Sequence, residues 1–173
     1  MHAAHGHSYS AKVARELASV GFCAAKKTRF HGVRLHLMVQ RRCGGLPLPT
    51  HVWLCAASIH DSKAVKEQTP EIKARALFGD LAYLDKELLC LFKEQTTALI
   101  TPKKKPKGGD LTAPEKYHNR LVSKFRQPIE SLFNWIIEKT NIQKAGKVRS
   151  TDALLIHCWG KLAVAFFLLV FNY

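Results

Sequence analysis

A three-residue apolar run, Ala76, Leu77 and Phe78, ends at Gly79 and leaves the carboxylate of Asp80 at its tip. So short and apolar a run predicts a strand covered on both faces, as in a parallel or mixed sheet, rather than a helix. Ligands bind at the carboxyl ends of such strands in open α/β sheets, and a carboxylate there can hold a metal ion over a phosphate. Capping of a turn or of the next helix is the plainer alternative for one Gly-Asp pair.

The flanking segments supply the rest of a mixed sheet. Residues 11–20, with Val13, Leu17 and Val20 at helical spacing, predict a short helix ended by Gly21. Val33, Leu35, Leu37 and Val39 then alternate with Arg34, His36, Met38 and Gln40, which predicts a strand with one core face and one partly wet face. A Gly- and Pro-rich loop at 41–50 turns the chain into a second apolar strand at 51–57, and an antiparallel hairpin is the natural pairing. His60 and Asp61 follow, with Asp61 placed to cap a helix over 62–68. Beyond Asp80, residues 84–94 put Leu84, Leu88, Leu91 and Phe92 on one helical stripe, and 97–101 read as another short strand. Hairpin, helix, strand, helix, strand is the order of a mixed α/β sheet flanked by helices.

The final third is helical. Leu121, Phe125, Ile129, Leu132, Phe133 and Ile136 predict one long buried face, which Pro128 must either start or kink. Arg126 and Glu130 lie four residues apart, so an ion pair between them is the local expectation. Residues 162–171 are strongly apolar but too short to span a bilayer, and predict a packed terminal helix.

Charge narrows the partner. In 173 residues, 27 Lys and Arg oppose 13 Asp and Glu, a net charge of +14 that points to a polyanion, with nucleic acid first. Residues 102–109, PKKKPKGG, concentrate four lysines where Pro and Gly prevent regular structure, so the loop can reach a phosphate backbone. The five cysteines (Cys23, Cys43, Cys55, Cys90, Cys158) are odd in number and lack ligand spacing, as in a reducing compartment. His2, His5 and His7 read as part of an unstructured tail rather than a metal site. No RNP-like aromatic pattern or GXXG loop favours an RNA-binding module.

FHGVRLHL, ASIHD, LFGDLAYLDKEL, NRLVSKFRQPIESLFNWIIEKTNI and KVRSTDALLIHCWGKL, in that order, resemble the DDE transposases of bacterial insertion sequences. The resemblance covers most of the chain from about Cys23, and GDLAY with RQPIE is its most specific part. It implies an RNase H-like fold in which two Asp and one Glu hold two divalent ions, Mg²⁺ or Mn²⁺, that cut and join DNA ends. By motif, Asp80 matches the second aspartate, Glu130 the glutamate, and Arg126 the arginine of a Tyr, Arg, Glu, Lys signature. Ser123 stands where that signature has its tyrosine and Ile137 where it has its lysine, with Lys139 two residues late.

The first aspartate has no counterpart: before Asp61 the only acid is Glu16, in a segment without strand character. The resemblance therefore implies residues 1–22 as a tail and short helix, and 23–173 as a partial catalytic domain lacking its first, central strand. DNA at insertion-sequence ends and target is the implied partner, held through Lys26, Lys27, Arg34, Lys103, Lys104, Lys105, Lys107 and Lys139. Self-association or pairing with an intact transposase, in the bacterial cytoplasm and away from membranes, follows from the same likeness. Two functions are in view: an impaired transposase, or a DNA-binding remnant that interferes with an intact one.

Overall fold

The alternating segment forms the longest strand, β2 (Thr28–Gln40). The computed structural model describes residues 13–23, 27–68, 71–72 and 74–171. The chain divides into two compact units, one made of residues 1–59 and 129–173, the other of residues 60–128.

In the first unit β2 pairs antiparallel with β3 (Leu48–Ala56), the expected hairpin, with a bulge between Met38 and Val39. The second strand starts earlier than the loop composition suggested. Pro49 sits opposite Val39 just past the bulge, and β3 ends the three-strand order, where a residue without an N–H is tolerated. The face expected to be partly wet is largely covered as well. His36 and Met38 are buried, the His36 ring lies parallel to Trp53 with centroids 5.3 Å apart, and its Nε2 is 3.2 Å from Cys55 Sγ.

A helix over 11–20 is not what forms. Residues 13–17 make a turn and β1 (Ser19–Cys23) pairs antiparallel with the start of β2, Ser19 opposite Gly32 and Cys23 opposite Thr28. Helical spacing of three apolar residues is a weak preference, and strand pairing overrides it. Gly21 lies inside this strand rather than ending a helix. A Cβ there would stand 2.7 Å from both the Cβ and the carbonyl oxygen of Ala57, so close approach of backbone requires glycine.

Over the sheet lie the second half of α3 (Ala113–Thr140) and all of α4 (Thr151–Phe171). Val33, Leu35 and Leu37 of β2, Leu132 and Ile136 of α3, Ile142, and Leu154, Cys158, Leu162, Ala165 and Leu169 of α4 form one buried cluster. Burial pushes the Cys158 thiol up to about 11, so it behaves as a small apolar group. The terminal helix is longer than residues 162–171. Its 21 residues, with an 18-residue stretch of mean hydropathy 2.1, are long and apolar enough to cross a membrane by length and composition, yet one stripe packs in this core. The opposite stripe leaves Ile156, Val164, Phe167, Val170 and Phe171 exposed.

The second unit holds α1 (Asp61–Gln68), β4 (Ala76–Phe78), a 3-10 turn (Leu81–Tyr83), α2 (Lys86–Glu94), β5 (Ala98–Ile100) and the first half of α3. His60 rather than Asp61 occupies the capping position of α1: its Nδ1 lies 2.9 Å from Ser62 Oγ and 3.4 Å from the Ser62 amide. Leu88 and Phe92 are the fully buried residues of α2, whose first turn is capped by Asp85. β4 and β5 pair in parallel, Ala76 with Ala98 and Phe78 with Ile100. The apolar run is less covered than expected: Ala76 is exposed and Leu77 and Phe78 are half-buried, because this ladder has two strands only among the described residues.

Helix α3 opens at Ala113, well before Pro128, and runs through it. Thr112 and Glu115 close a reciprocal cap at its start: the Thr112 amide and hydroxyl each donate to Glu115 Oε2 at 2.9 Å, and the Glu115 amide reaches Thr112 Oγ1 at 3.4 Å. Pro128 removes one helical donor, and the division between units falls directly after it. The expected stripe holds in the second half, at Leu132 and Ile136. In the first half Leu121 and Phe125 are exposed and Val122 is the buried residue, because the two halves serve different units.

Candidate active site

Parallel pairing brings two features of the second unit to the same end of one ladder. Asp80 follows the end of β4 by two residues and the lysine-rich loop likewise opens two residues after the end of β5, while the Gly79 amide extends the ladder by donating to the Ile100 carbonyl at 2.9 Å. Gly79 is buried, and a Cβ would lie 3.1 Å from the Tyr83 ring, so the chain reaches Asp80 through a tight passage.

The Asp80 carboxylate has two partners. Oδ1 accepts the Leu81 amide at 2.7 Å, capping the 3-10 turn, and also lies 3.4 Å from Arg126 Nη1. Capping and a role in the site are thus both available to one side chain. Asp80 is 54% exposed and Arg126 22%, so the arginine is the more sheltered partner. Phe78 stacks on Phe125 with ring centroids 4.5 Å apart and planes 13° from parallel, fastening the end of β4 to the helix that carries Arg126. The pairing with Asp80 bridges distant chain segments, which no local pattern reports. Glu130 itself is exposed and one turn further along α3.

The lysine-rich loop is anchored at its root. Asn119 of α3 takes the Lys103 amide on Oδ1 at 2.7 Å and returns Nδ2 to the Lys103 carbonyl at 3.0 Å, while His118 Nε2 donates to the Thr101 carbonyl at 3.0 Å. Lys103, Lys104, Lys105 and Lys107 are exposed. Asp110 draws back part of this charge, with Lys105 at 3.3 Å and Lys116 at 2.9 Å. Sequence reasoning missed Asn119 and His118 because their partners are backbone atoms sixteen and seventeen residues away.

The remaining residues named for DNA are dispersed. Lys26 lies outside the described residues, as do His2, His5 and His7. Lys27 is exposed just before β2. Arg34 bridges backbone, donating from Nη1 to the Ile59 carbonyl at 3.2 Å and from Nη2 to the Phe22 carbonyl at 3.4 Å, which gives it a structural task in the first unit. Lys139 is 3.9 Å from Glu138 near the end of α3. Among the described residues no group of three or more His, Cys, Asp or Glu could hold a metal ion.

Residues 4–150 match the family model described as a transposase DDE domain. The chain belongs to that family. No curated protein and no solved structure matches it. The match makes a transposase function and an enzyme family plain, and DNA is the partner that such a family implies. Within this DDE domain the mixed α/β architecture is as expected, with an antiparallel ladder in one unit and a parallel one in the other.

Electrostatics in the second unit of this DDE domain carry a pH signature. Lys66 lies 2.8 Å from Asp85 and 2.6 Å from Glu87, and Asp85 also accepts the Glu87 and Leu88 amides. The hydrogen bond from Lys66, then the Leu88 amide, holds the Asp85 carboxyl below its ordinary range. Lys116 and Lys105 lower Asp110, and the Thr112 cap lowers Glu115. Carboxylates depressed in the folded state contribute stability that is complete above their unfolded pKa and is lost as pH falls through their folded values. Lys66, raised by Asp85 and Glu87, adds stability that is lost only as pH climbs past the lysine range. The melting temperature is therefore expected to fall below about pH 4. The gap between the parent chain and Asp85→Asn, followed by circular dichroism, should close over the same interval. A gap that stays constant from neutral pH to pH 3 contradicts the assignment.

Proposed function

We propose that this chain is a DNA-acting transposase chain that grips the DNA backbone but, as it stands, is impaired in cutting it. The observation that carries the reading is the shared ladder end: Asp80, paired with Arg126, emerges beside a loop of four exposed lysines. Phosphate contacts of that kind position a protein on DNA without reading sequence. Asp80 and Glu130 serve as the acids and Arg126 as the charge partner of Asp80. Lys103, Lys104, Lys105 and Lys107 supply the main cationic surface, with Lys26, Lys27, Arg34 and Lys139 as separate further contacts, in a bacterial cytoplasm where the nucleoid is the target.

The ions implied by the family are Mg²⁺ or Mn²⁺, hard cations that take oxygen ligands, and carboxylates are donors of the right kind. The number falls short. Only Glu16 precedes Asp61 among the acids; Glu16 lies exposed in a turn rather than on a strand, and Asp80 Oδ1 is already engaged by Leu81 and Arg126. The residues present do not make up the donor set that two bridging ions need.

Binding is tested by fluorescence anisotropy of a labelled duplex over a salt series. The reading expects binding that weakens steeply with salt. Absence of binding at low salt, or displacement of DNA by RNA at equal salt, contradicts it.

A further inference from the structure

The first unit carries a cationic pocket whose lining residues are not among those named above for DNA or metal. It lies where the segment after α3 meets α4, has a volume of about 540 Å³, and is lined by Lys144, Lys147, His157 and Lys161 over Val148 and Ile156. Among the described residues no carboxylate lines it. Between residues 141 and 161 the single acid, Asp152, stands against Lys144, Lys147, Arg149 and Lys161.

The pocket is built rather than incidental. Asn141 takes a positive φ of 51° after the end of α3, and two successive turns follow, closed by Lys144 N to Asn141 O at 2.9 Å and Val148 N to Ala145 O at 3.1 Å. Ile142 is fully buried in the core and pins the segment. His157 Nε2 donates to the Ile142 carbonyl at 2.9 Å and Lys161 Nζ to the Asn141 carbonyl at 3.1 Å, so α4 fastens the segment from the other side. Arg149 Nη1 donates to the Gly146 and Val148 carbonyls, and the Ser150 hydroxyl accepts the Ala153 amide at the start of α4. Side chains of one sign held around one pocket repel each other unless an anion offsets them. The start of the 21-residue α4 adds favourable potential for such an anion.

We infer that this pocket binds a phosphodiester of the DNA strand, forming a second grip separate from the lysine-rich loop. Lys144 and Lys147 face the phosphate charge, while Val148 and Ile156 give an apolar surface to the adjoining sugar. A pocket of this volume accepts a nucleotide-sized group. The inference rests on the DNA-acting reading and extends it to the first unit.

The test is the salt dependence of duplex binding by the full chain and by Lys144→Gln/Lys147→Gln, with Lys161 left in place because it holds Asn141. Each phosphate contact contributes about 0.9 to the slope of log affinity against log salt, so the double variant should be shallower by roughly 1.8. Its loss of affinity between 50 and 200 mM salt should then be about tenfold smaller than the parent's. Lys144→Arg/Lys147→Arg should restore the parent slope, which a folding defect at these positions would not do. An unchanged slope in the glutamine variant overturns the pocket and leaves the DNA-acting reading standing; a parent chain that does not bind DNA removes both. Millimolar inorganic phosphate at constant ionic strength should leave DNA affinity intact. Displacement of DNA from the parent but not from the double variant assigns the pocket to free phosphate and overturns the inference.

Discussion

Replacing Lys103, Lys104 and Lys107 together with glutamine is expected to weaken duplex binding by roughly five hundredfold at 0.1 M salt, with the fold intact. Counterion release makes each phosphate contact worth roughly a factor of eight at that salt, and three such contacts compound. Lys105 is left out because Asp110 at 3.3 Å already shares its charge. The loop is exposed and its root is held through main-chain atoms of Lys103 and Thr101, so the substitutions leave those bonds in place. Their effect therefore reads charge rather than folding. Anisotropy titrations at several salt concentrations measure it, and a triple variant that binds like the parent removes the loop from the interface.

The second large effect lies in α4. Leu162 is 1% exposed and Phe167 61%, on opposite stripes of the same helix. Leu162→Ala removes buried methyl groups from the cluster shared by β2, α3 and α4 and should cost about 2–5 kcal/mol, a large share of the 5–15 kcal/mol typical of a domain. Phe167→Ala, which opens no cavity in that cluster, should change stability by no more than about 0.5 kcal/mol. Urea unfolding of the two variants gives the comparison. Similar midpoints would mean that this stripe of α4 does not pack as described.

The parts of the fold that could be read from sequence are those whose pattern is local and repeated. Alternation from Val33 to Val39 announced β2, and the Gly and Pro residues at 44–49 announced a hairpin, though not that a bulge at Met38 and Val39 would let the strand resume at Leu48. Residue Asp80 at the end of a short parallel strand was legible because Gly79 closes an apolar run. Strand β1 was not, since its identity is decided by Ser19 meeting Gly32 and by the approach of Gly21 to Ala57, contacts a helical spacing of three residues cannot foretell.

The same limit applies within the site. Asp80, distant along the chain from Arg126, lies 3.4 Å from its guanidinium. The stacking of Phe78 on Phe125 and the Asn119 clamp on Lys103 are likewise products of tertiary packing. The start of α3 is a different case. Thr112 followed by Glu115 is a capping-box pattern, legible in the sequence itself.

Strand cleavage is the most direct measure of whether the acids of this chain suffice for catalysis. Purified chain, at a concentration that saturates a labelled duplex, is incubated with Mg²⁺ and separately with Mn²⁺, and products are resolved on a denaturing gel. Retained binding with no metal-dependent cleavage is the predicted result. Cleavage that requires the metal and disappears in Asp80→Ala would contradict it, because two acids would then suffice for chemistry that this account reserves for three.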